Sequence, residues 1–443
     1  MCVHGKRELH TLHQFEQRKA RFGKYWSGKA ETSIRQRGGD AAMRFLHTSD
    51  WHLGKSLHGH DLTGAQEAAV NAVIDLAIER KIDAFVIAGD VFDRAFPSVE
   101  DVRRFNKALT RIHLAGIPIV CIAGNHDEGA RLAAFMNLLD TSVTIVGENR
   151  QVGQAVPLAD EHGPVVFYPL PYLDPDGARR DLAPEGGPLL ARSHEAVVAE
   201  GMRRVRADFE ERRQADPAAR AVVVAHAFVV KGTETAEDLL GVQSESERGI
   251  SVGGVPSVPT GVFNGVHYVA LGHLHGQRTV SPIDPMVRYS GSLLRYSISE
   301  AEHVKSVTIV DIDADGSCTV EAVPVPQPAG MARLRGDLAD LISDRYTAHH
   351  DDYVEILLTD DRLPDNYLAQ LGTRFTRILR AVPDRGPFAW AGLAEGRESP
   401  IHAVTPLDTL RNFYAESRGE EMTEAMERIL VNVLERAHAG GEG

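Results

Sequence analysis

The sequence predicts an α/β fold in which two β-sheets form a layered sandwich flanked by helices. Short β-rich apolar runs alternate with amphipathic helical patterns through most of the chain up to residue 324. Polar motifs follow directly after several of these apolar runs. Open α/β sheets place their ligands at the carboxyl ends of strands. This order therefore also predicts a single site to which residues at several strand ends contribute side chains.

Three strands and two helices are predicted in the first part of the chain. The strands are the apolar runs 45–48, 84–88 and 117–123. Between the first two, apolar residues recur at the i, i+3, i+4 spacing of one buried helix face. Thr63 and Gln66 have the spacing of a capping box at the start of this helix. Ser98 and Asp101 predict the next helix start, and that helix runs to about Leu114.

Further strands and a smaller unit follow. Strands are predicted at 222–225, at 268–271 and within 285–324, where Ser306–Ile312 is one of them. A Pro-rich stretch at 324–328 indicates a linker, and two helical patterns near the C-terminus are separated by Gly419. The expected domains are a leader 1–42, the main domain 43–324, a small α+β capping domain 325–392, and a linker with C-terminal helices 393–443.

Composition narrows the class of protein. A length of 443 residues predicts two or three domains, and 43% hydrophobic with 25% charged residues is ordinary for a globular protein. No apolar run approaches the ~20 residues that cross a bilayer, so we expect a cytoplasmic protein without a membrane anchor. The odd, scattered cysteines Cys2, Cys121 and Cys318 fit neither a disulfide framework nor a cysteine zinc site.

The charge is unevenly distributed. The whole chain carries −14, although residues 1–42 contain nine Lys/Arg against four Asp/Glu. The acidic remainder is a poor general binder of nucleic acid, so local basic loops, metals or a partner would have to hold such a substrate. For the leader two interpretations stay open. Met43 could be the natural start, or residues 1–42 could form a disordered basic arm that touches DNA.

Five short motifs carry the predicted chemistry. Carboxylate, imidazole and amide groups in this mixture suit divalent ions such as Mn²⁺, Fe²⁺ or Zn²⁺. Two such ions can together bind a phosphate. The motifs are Asp50-x-His52, Gly89-Asp90-x-x-Asp93, Gly124-Asn125-His126-Asp127, the lone His226, and Gly272-His273-x-His275.

Each motif alone has an ordinary structural explanation. His226 could be a hydrogen-bonded core histidine, and His273-x-His275 could be a chance pair in a chain with 20 histidines. Asp93 could support a ligand or only cap its loop. Because all five motifs follow predicted strands and supply seven compatible ligands, a dinuclear site explains them better than coincidence. His126 could then protonate the leaving oxygen, with Asp127 orienting its ring.

The motifs resemble those of the calcineurin-like metallophosphoesterases. This resemblance implies one metal held by Asp50, His52, Asp90 and His275, a second held by Asp90, Asn125, His226 and His273, and His126 as the catalytic histidine. A narrower resemblance is to the SbcD family, the nuclease subunits of bacterial SbcCD complexes. It covers about 43–340 and rests on LHTSDWHLGK at 46–55, AGDVFD at 88–93, AGNHD at 123–127, ALGHLH at 270–275 and YSGS at 289–292.

The narrower resemblance implies an activity and partners. SbcD-like proteins are Mn²⁺-dependent nucleases that trim double-stranded DNA ends from the 3′ side and cut hairpins and single strands. They act with a coiled-coil SbcC ATPase, as a homodimer within a heterotetramer, in recombination and repair. The capping domain would steer DNA, and the C-terminal helices would dock onto the ATPase, although these helices could instead pack on their own domain. The rival functions are a phosphatase on the same core and a non-catalytic DNA-end scaffold.

Overall fold

The computed structural model describes residues 42–134, 141–231 and 257–384, together with Thr423 and Met426. The predicted C-terminal helices (except these two residues) and residues 1–41 of the leader lie outside the described residues. The described part divides into two compact units. The larger unit contains the residues up to Arg333 with 349–355 and 375–379, and the smaller contains 334–348, 356–374 and the residues from Arg380.

The described residues form nineteen strands. In chain order they are β1 (Met43–Thr48), β2 (Ser56–Leu57), β3 (His60–Asp61), β4 (Ala84–Ala88), β5 (Ile119–Ile122), β6 (Val143–Val146), β7 (Val156–Asp160), β8 (Gly163–Leu170), β9 (Arg220–His226), β10 (Val229–Val230), β11 (Val258–Pro259), β12 (Tyr268–Gly272), β13 (Arg278–Ser281), β14 (Met286–Tyr289), β15 (Ser306–Ile312), β16 (Cys318–Pro324), β17 (Met331–Gly336), β18 (Tyr353–Leu358) and β19 (Arg377–Pro383).

Seven α-helices connect these strands within the described residues. They are α1 (Thr63–Glu79), α2 (Val99–Leu114), α3 (Gly129–Leu132), α4 (Pro175–Asp181), α5 (His194–Ala215), α6 (Leu338–Leu341) and α7 (Tyr367–Arg374). Short 3₁₀ segments lie at Asn149–Gln151, Thr260–Phe263, Ile298–Glu300 and Asp344–His349. No helix within 42–134, 141–231 or 257–384 is long and apolar enough to cross a membrane.

Two six-stranded mixed sheets form the larger unit. The first has the order β16-β15-β1-β4-β5-β6, in which β1, β4, β5 and β6 run parallel. The second has the order β13-β14-β12-β9-β8-β7, in which β14, β12, β9 and β8 run parallel. Antiparallel strands complete both edges of the second sheet and one edge of the first. This confirms the predicted sandwich of two sheets with helices.

Alternation along the strands separates three layers of apolar packing. Phe45 of β1 points between the sheets and packs edge-on against Phe167 of β8, with ring centroids 5.3 Å apart. Its neighbour Leu46 packs in the cluster that includes α1 and α2. On β9, Val222 faces the other sheet while Val223 faces α5. Successive side chains of a strand point to opposite faces, so strands covered on both sides read as continuous apolar runs.

The smaller unit has buried apolar side chains of its own, including Leu341, Ile356 and Leu371. Its helices α6 and α7 contact each other. The strands β17, β18 and β19 form a three-stranded sheet in that order. The predicted strand at Val354–Leu358 therefore exists as β18, and the domain boundaries at 324 and 392 stay predictions.

One helix start was predicted correctly and one was not. Ser98 caps α2 through a complete capping box with Asp101. The proposed box at Thr63 and Gln66 is wrong, because the N-cap of α1 is Leu62 and the backbone N–H of Thr63 donates to the Asp61 carboxylate. Gln66 instead turns inward, where its amide donates to the carbonyl oxygen of His52 over 2.6 Å and accepts from the backbone N–H of Gly54. Spacing alone did not reveal that the glutamine had a buried partner.

Candidate metal centre

The carboxyl ends of strands from both sheets meet at one place. The Nδ1 atom of His226, at the end of β9, lies 2.8 Å from the carbonyl oxygen of Ala88, at the end of β4. The backbone N–H of His273, after β12, donates to the carboxylate of Asp50, after β1, over 3.1 Å. Residues that are 138 and 223 positions apart in sequence, on different sheets, therefore supply neighbouring side chains to one site.

Three of the predicted ligands form a first buried cluster. Asp50, His52 and His275 offer donor atoms that lie within 4.8 Å of one another. The Nε2 atoms of His52 and His275 face each other at 3.1 Å. All three side chains are at most 2% exposed.

The remaining four predicted ligands lie beside this cluster. Asp90 and His226 form a second compact group with Asp50. The Oδ1 atom of Asn125 lies 2.9 Å from Nε2 of His226 and 3.0 Å from Nδ1 of His273. Asp90 also lies 3.7 Å from His52, so this carboxylate stands between the two groups, as a shared ligand would. The structure thus brings all seven side chains together, and their role as ligands stays a prediction.

The backbone is strained at four of these positions. Asp50, His52, Asp90 and His273 have φ angles of 53°, 45°, 51° and 111°. Positive φ costs a residue with a side chain roughly 1–2 kcal/mol, and such strain concentrates at functional sites. Each of these residues lies just beyond a strand, where the chain must turn sharply to aim its side chain into the site.

Glycines permit the close approach of the loops. Gly89 has a φ of 88°, and a Cβ atom at this position would overlap Nδ1 of His226. A Cβ atom at Gly124 would overlap the carboxylate of Asp90. The Gly in each of these two motifs therefore leaves the space that a predicted ligand occupies.

His126 lies at the rim of the site and is half-buried; its ring packs edge-on against that of His52, with centroids 4.7 Å apart. Its backbone N–H donates to Oδ1 of Asp90 over 2.9 Å. Its Nδ1 lies 2.9 Å from the carbonyl oxygen of Asp93. Because a carbonyl only accepts, Nδ1 carries the hydrogen and Nε2 remains the reactive nitrogen.

The expectation that Asp127 orients the His126 ring is corrected by these contacts. The Asp127 carboxylate accepts from three backbone N–H groups, those of Val91, Phe92 and Gly124, at 2.9–3.0 Å. It therefore ties the loop after β4 to the loop after β5. The carbonyl of Asp93 orients the imidazole instead, so Asp127 has a structural contact where a catalytic one was predicted.

Burial and mutual charge shift the acid–base properties of the site. Burial raises the pKa of the Asp50 carboxyl to about 6, and burial with the charge of Asp90 does the same for Asp127. Burial opposes protonation of His226, but the Asp90 carboxylate overcomes this and raises the pKa of His226 to about 9. Burial lowers the pKa of His273 to about 3. Metal-free, the site therefore holds an imidazolium at His226 against the Asp90 carboxylate.

Several residues at the site were missed by the sequence analysis. Ser49 donates to Asp50 over 2.5 Å and lies 2.9 Å from the hydroxyl of Ser290. Glu300 accepts from Nδ1 of His275 over 3.1 Å, and Lys305 donates to Glu300 over 2.6 Å. Ser49 and Ser290 lie within the motif runs, whereas Glu300 and Lys305 lie in a stretch that carries no recognisable pattern.

These residues fit a pair of divalent ions. Four imidazoles, two carboxylates and one amide converge, which is the oxygen and nitrogen set that such metals take. Nδ1 of His52 is buried without a hydrogen-bond partner among the described residues, and its Nε2 faces another imidazole nitrogen. When both rings carry their hydrogen on Nδ1, the two Nε2 atoms present lone pairs that a cation can accept.

A family model confirms the class of the larger unit. The model described as Calcineurin-like phosphoesterase matches residues 43–277, more than half of the chain. The chain belongs to this family. Two solved structures are also similar to this calcineurin-like phosphoesterase. TT1561 of Thermus thermophilus has 15% identity and a TM-score of 0.38, and covers 65% of this chain and 100% of its own. A dimetal phosphatase from Danio rerio has 10% identity and a TM-score of 0.39, covering 65% and 98%.

Proposed function

We propose that this phosphoesterase is a Mn²⁺-dependent DNA nuclease of the SbcD type. It would act as a 3′–5′ exonuclease on double-stranded ends and as an endonuclease on hairpins and single strands, together with an SbcC-type ATPase in repair and recombination. Family membership supports hydrolysis of a phosphoester. The choice of DNA rests on the narrower motif resemblance.

The observation that carries the proposal is the position of the YSGS run. This run, at 289–292, lies beyond the residues that match the general family model. Ser290 reaches the site through Ser49, whose hydroxyl donates to Asp50. Ser292 accepts from Lys305, which donates in turn to Glu300 behind His275. A run that forms part of the SbcD resemblance therefore contacts Ser49 and Lys305, and through them two predicted ligands.

The proposed reaction uses the seven predicted ligands and His126. Asp50, His52, Asp90 and His275 would hold one ion, and Asp90, Asn125, His226 and His273 the other. Bound there, the ions supply electrostatic stabilisation of phosphate oxygens and an activated water. Water adds to phosphorus and releases one proton to solvent, the bond from phosphorus to the 3′ oxygen breaks, and Nε2 of a protonated His126 donates its proton to that oxygen.

One contact and the exposure of His126 support this role. The carbonyl of Asp93 fixes Nδ1–H, so the ring cannot rotate without losing that bond. Asn125 next to it is exposed, and His126 itself is half-buried, whereas Asp50, Asp90 and His275 are buried. The proton donor thus lies at the solvent side of the ligand cluster, the side from which DNA would approach.

Replacing His126 tests the proposed function. We expect His126→Asn to bind two equivalents of Mn²⁺ and to lose cleavage of a 5′-labelled DNA hairpin by ~10²–10⁴-fold, the usual contribution of a general acid. His113→Asn, on the exposed face of α2, is the matched control and keeps full activity.

The substrate class is tested with the same preparations. The wild-type chain is assayed with Mn²⁺, with and without a co-expressed coiled-coil ATPase, on a hairpin, a blunt duplex and a simple phosphomonoester. Faster turnover of the monoester than of either DNA would favour the phosphatase function. Bound Mn²⁺ without turnover of any substrate would favour a scaffold.

A further inference from the structure

A buried ion pair stands directly behind one of the predicted ligands. Glu300 is 0% exposed and Lys305 is 3% exposed, and Nζ of Lys305 lies 2.6 Å from Oε2 of Glu300. The other carboxylate oxygen lies 3.1 Å from Nδ1 of His275. Lysine and glutamate are rarely buried this fully, and removing one partner of such a pair is costly.

Every polar atom of this pair has a partner. Oε1 of Glu300 also accepts from the hydroxyl of Ser297, and Oε2 also accepts from the backbone N–H of Tyr296. The three N–H groups of Lys305 meet Glu300, the hydroxyl of Ser292 over 2.9 Å and the carbonyl oxygen of His275 over 2.8 Å. The pair therefore forms hydrogen bonds with both the ring and the backbone of His275.

The hydrogen bond from His275 to Glu300 determines which ring nitrogen of His275 faces the site. An ionised carboxylate only accepts, so Nδ1 of His275 carries the hydrogen and Nε2 keeps its lone pair. That Nε2 lies 3.1 Å from Nε2 of His52, within the cluster that includes Asp50. The charges of Glu300 and Lys305 cancel, so the pair orients the ligand without adding net charge to the site.

We infer that Glu300, held by Lys305, is a positioning residue that presents Nε2 of His275 to one metal of the pair. The inference rests on the proposed metal centre and assigns the pair to one ion only. His226 and His273, in the other group, take their hydrogen bonds from the carbonyl of Ala88 and the amide oxygen of Asn125 instead. The expected signature is therefore asymmetric.

The test measures how many Mn²⁺ ions bind to variants of the pair, and with what affinity each ion binds. Glu300→Gln leaves the Lys305 charge buried, so the double variant Glu300→Gln/Lys305→Met removes both charges and keeps similar volumes. Mn²⁺ binding is followed by the electron paramagnetic resonance signal of free Mn²⁺ and by calorimetry. We expect one of two sites to weaken by about 10–100-fold, the usual effect of losing such a support, while the other is unchanged.

A matched pair elsewhere in the fold is the control. Asp160→Asn/Arg220→Met removes a similarly buried ion pair, 2.6 Å long, at the opposite end of β9 from His226. It should keep both Mn²⁺ sites, whatever its melting temperature. Two unchanged sites in the Glu300 double variant, or equal weakening of both, would overturn the inference. A wild-type chain that binds two Mn²⁺ but cuts no DNA refutes the nuclease function and leaves this inference intact.

Discussion

Metal binding should expel a proton from His226, and the number of protons released is set by the geometry of this ring. In the metal-free site Nδ1 of His226 faces the carbonyl of Ala88, and Nε2 faces Asn125 and, at 3.4 Å, the Asp90 carboxylate. Both nitrogens therefore face acceptors, which suits the imidazolium form. A metal must take the Nε2 lone pair, so its binding displaces this proton.

The magnitude follows from the pKa values. With a pKa of His226 of about 9, nearly all of its rings carry the extra proton at neutral pH. Asp50, with a pKa of about 6, is by then largely ionised, and His273 is already neutral. We expect His226 to release about one proton at pH ~7.5 and about half a proton at pH ~9, and Asp50 to add about half a proton at pH ~6.

The raised pKa of His226 also predicts how the stability of the metal-free protein depends on pH. The folded-state pKa of His226 is raised, so its contribution to the stability of the metal-free protein is complete below its unfolded pKa of 6.5 and is lost as the pH rises through about 9. Above pH ~9, where His226 is neutral, a bound metal ion would stabilise the Asp90 carboxylate in its place. Thermal stabilisation by Mn²⁺ should thus be larger at pH ~9 than at pH ~7.

Calorimetry measures the release directly. Mn²⁺ is titrated into the metal-free protein in buffers of different ionisation enthalpy, and the slope of observed enthalpy against buffer enthalpy gives the proton count. His226→Asn should release about one proton fewer at pH ~7.5, since the asparagine side chain does not titrate. A wild-type count near zero that stays flat between pH ~7 and ~9.5 would refute the assignment of the imidazolium.

The remaining predictions concern backbone and helix ends. Gly89→Ala should lower Mn²⁺ affinity at least tenfold, because its Cβ overlaps His226, whereas Gly64→Ala in α1 meets nothing within 4 Å and should leave Mn²⁺ affinity unchanged; equal titrations for both variants would contradict this. Ser98→Ala should reduce the free energy of unfolding by about 1 kcal/mol through loss of the α2 cap, and Thr63→Ala by less than about 0.5 kcal/mol, as measured by urea unfolding. Similar losses for these two variants would show that the cap assignment is wrong.

Strand positions were predictable because they depend on local pattern. The strand predicted at Ser306–Ile312 has those bounds in the structure, and the apolar run at 84–88 is β4. Every residue of β4 is apolar and buried, and six of the seven residues of the strand at Ser306–Ile312 are buried. Helix ends were harder, since Thr63 and Gln66 match a capping pattern whose glutamine turned out to hold the backbone of His52.

Residue roles were less predictable than residue positions. Asp127 was expected to support the His126 ring because the two are adjacent in sequence. Adjacent residues at a turn can point in different directions, and here Asp127 collects three backbone N–H groups while a carbonyl supports the ring. Glu300 and Lys305 could not be found from spacing, because their meaning comes from His275, 25 and 30 residues earlier in the chain.

The sequence by itself determined the alternation of strands and helices, the class of metal ligand and the order of the motifs, because each depends on neighbours within a few residues. The tertiary structure alone decided how the two sheets meet. It brings His226 and His273 of one sheet against Asp50 and Asp90 of the other. That apposition comes from burying apolar faces between the sheets, a non-local free energy that no short stretch of sequence encodes.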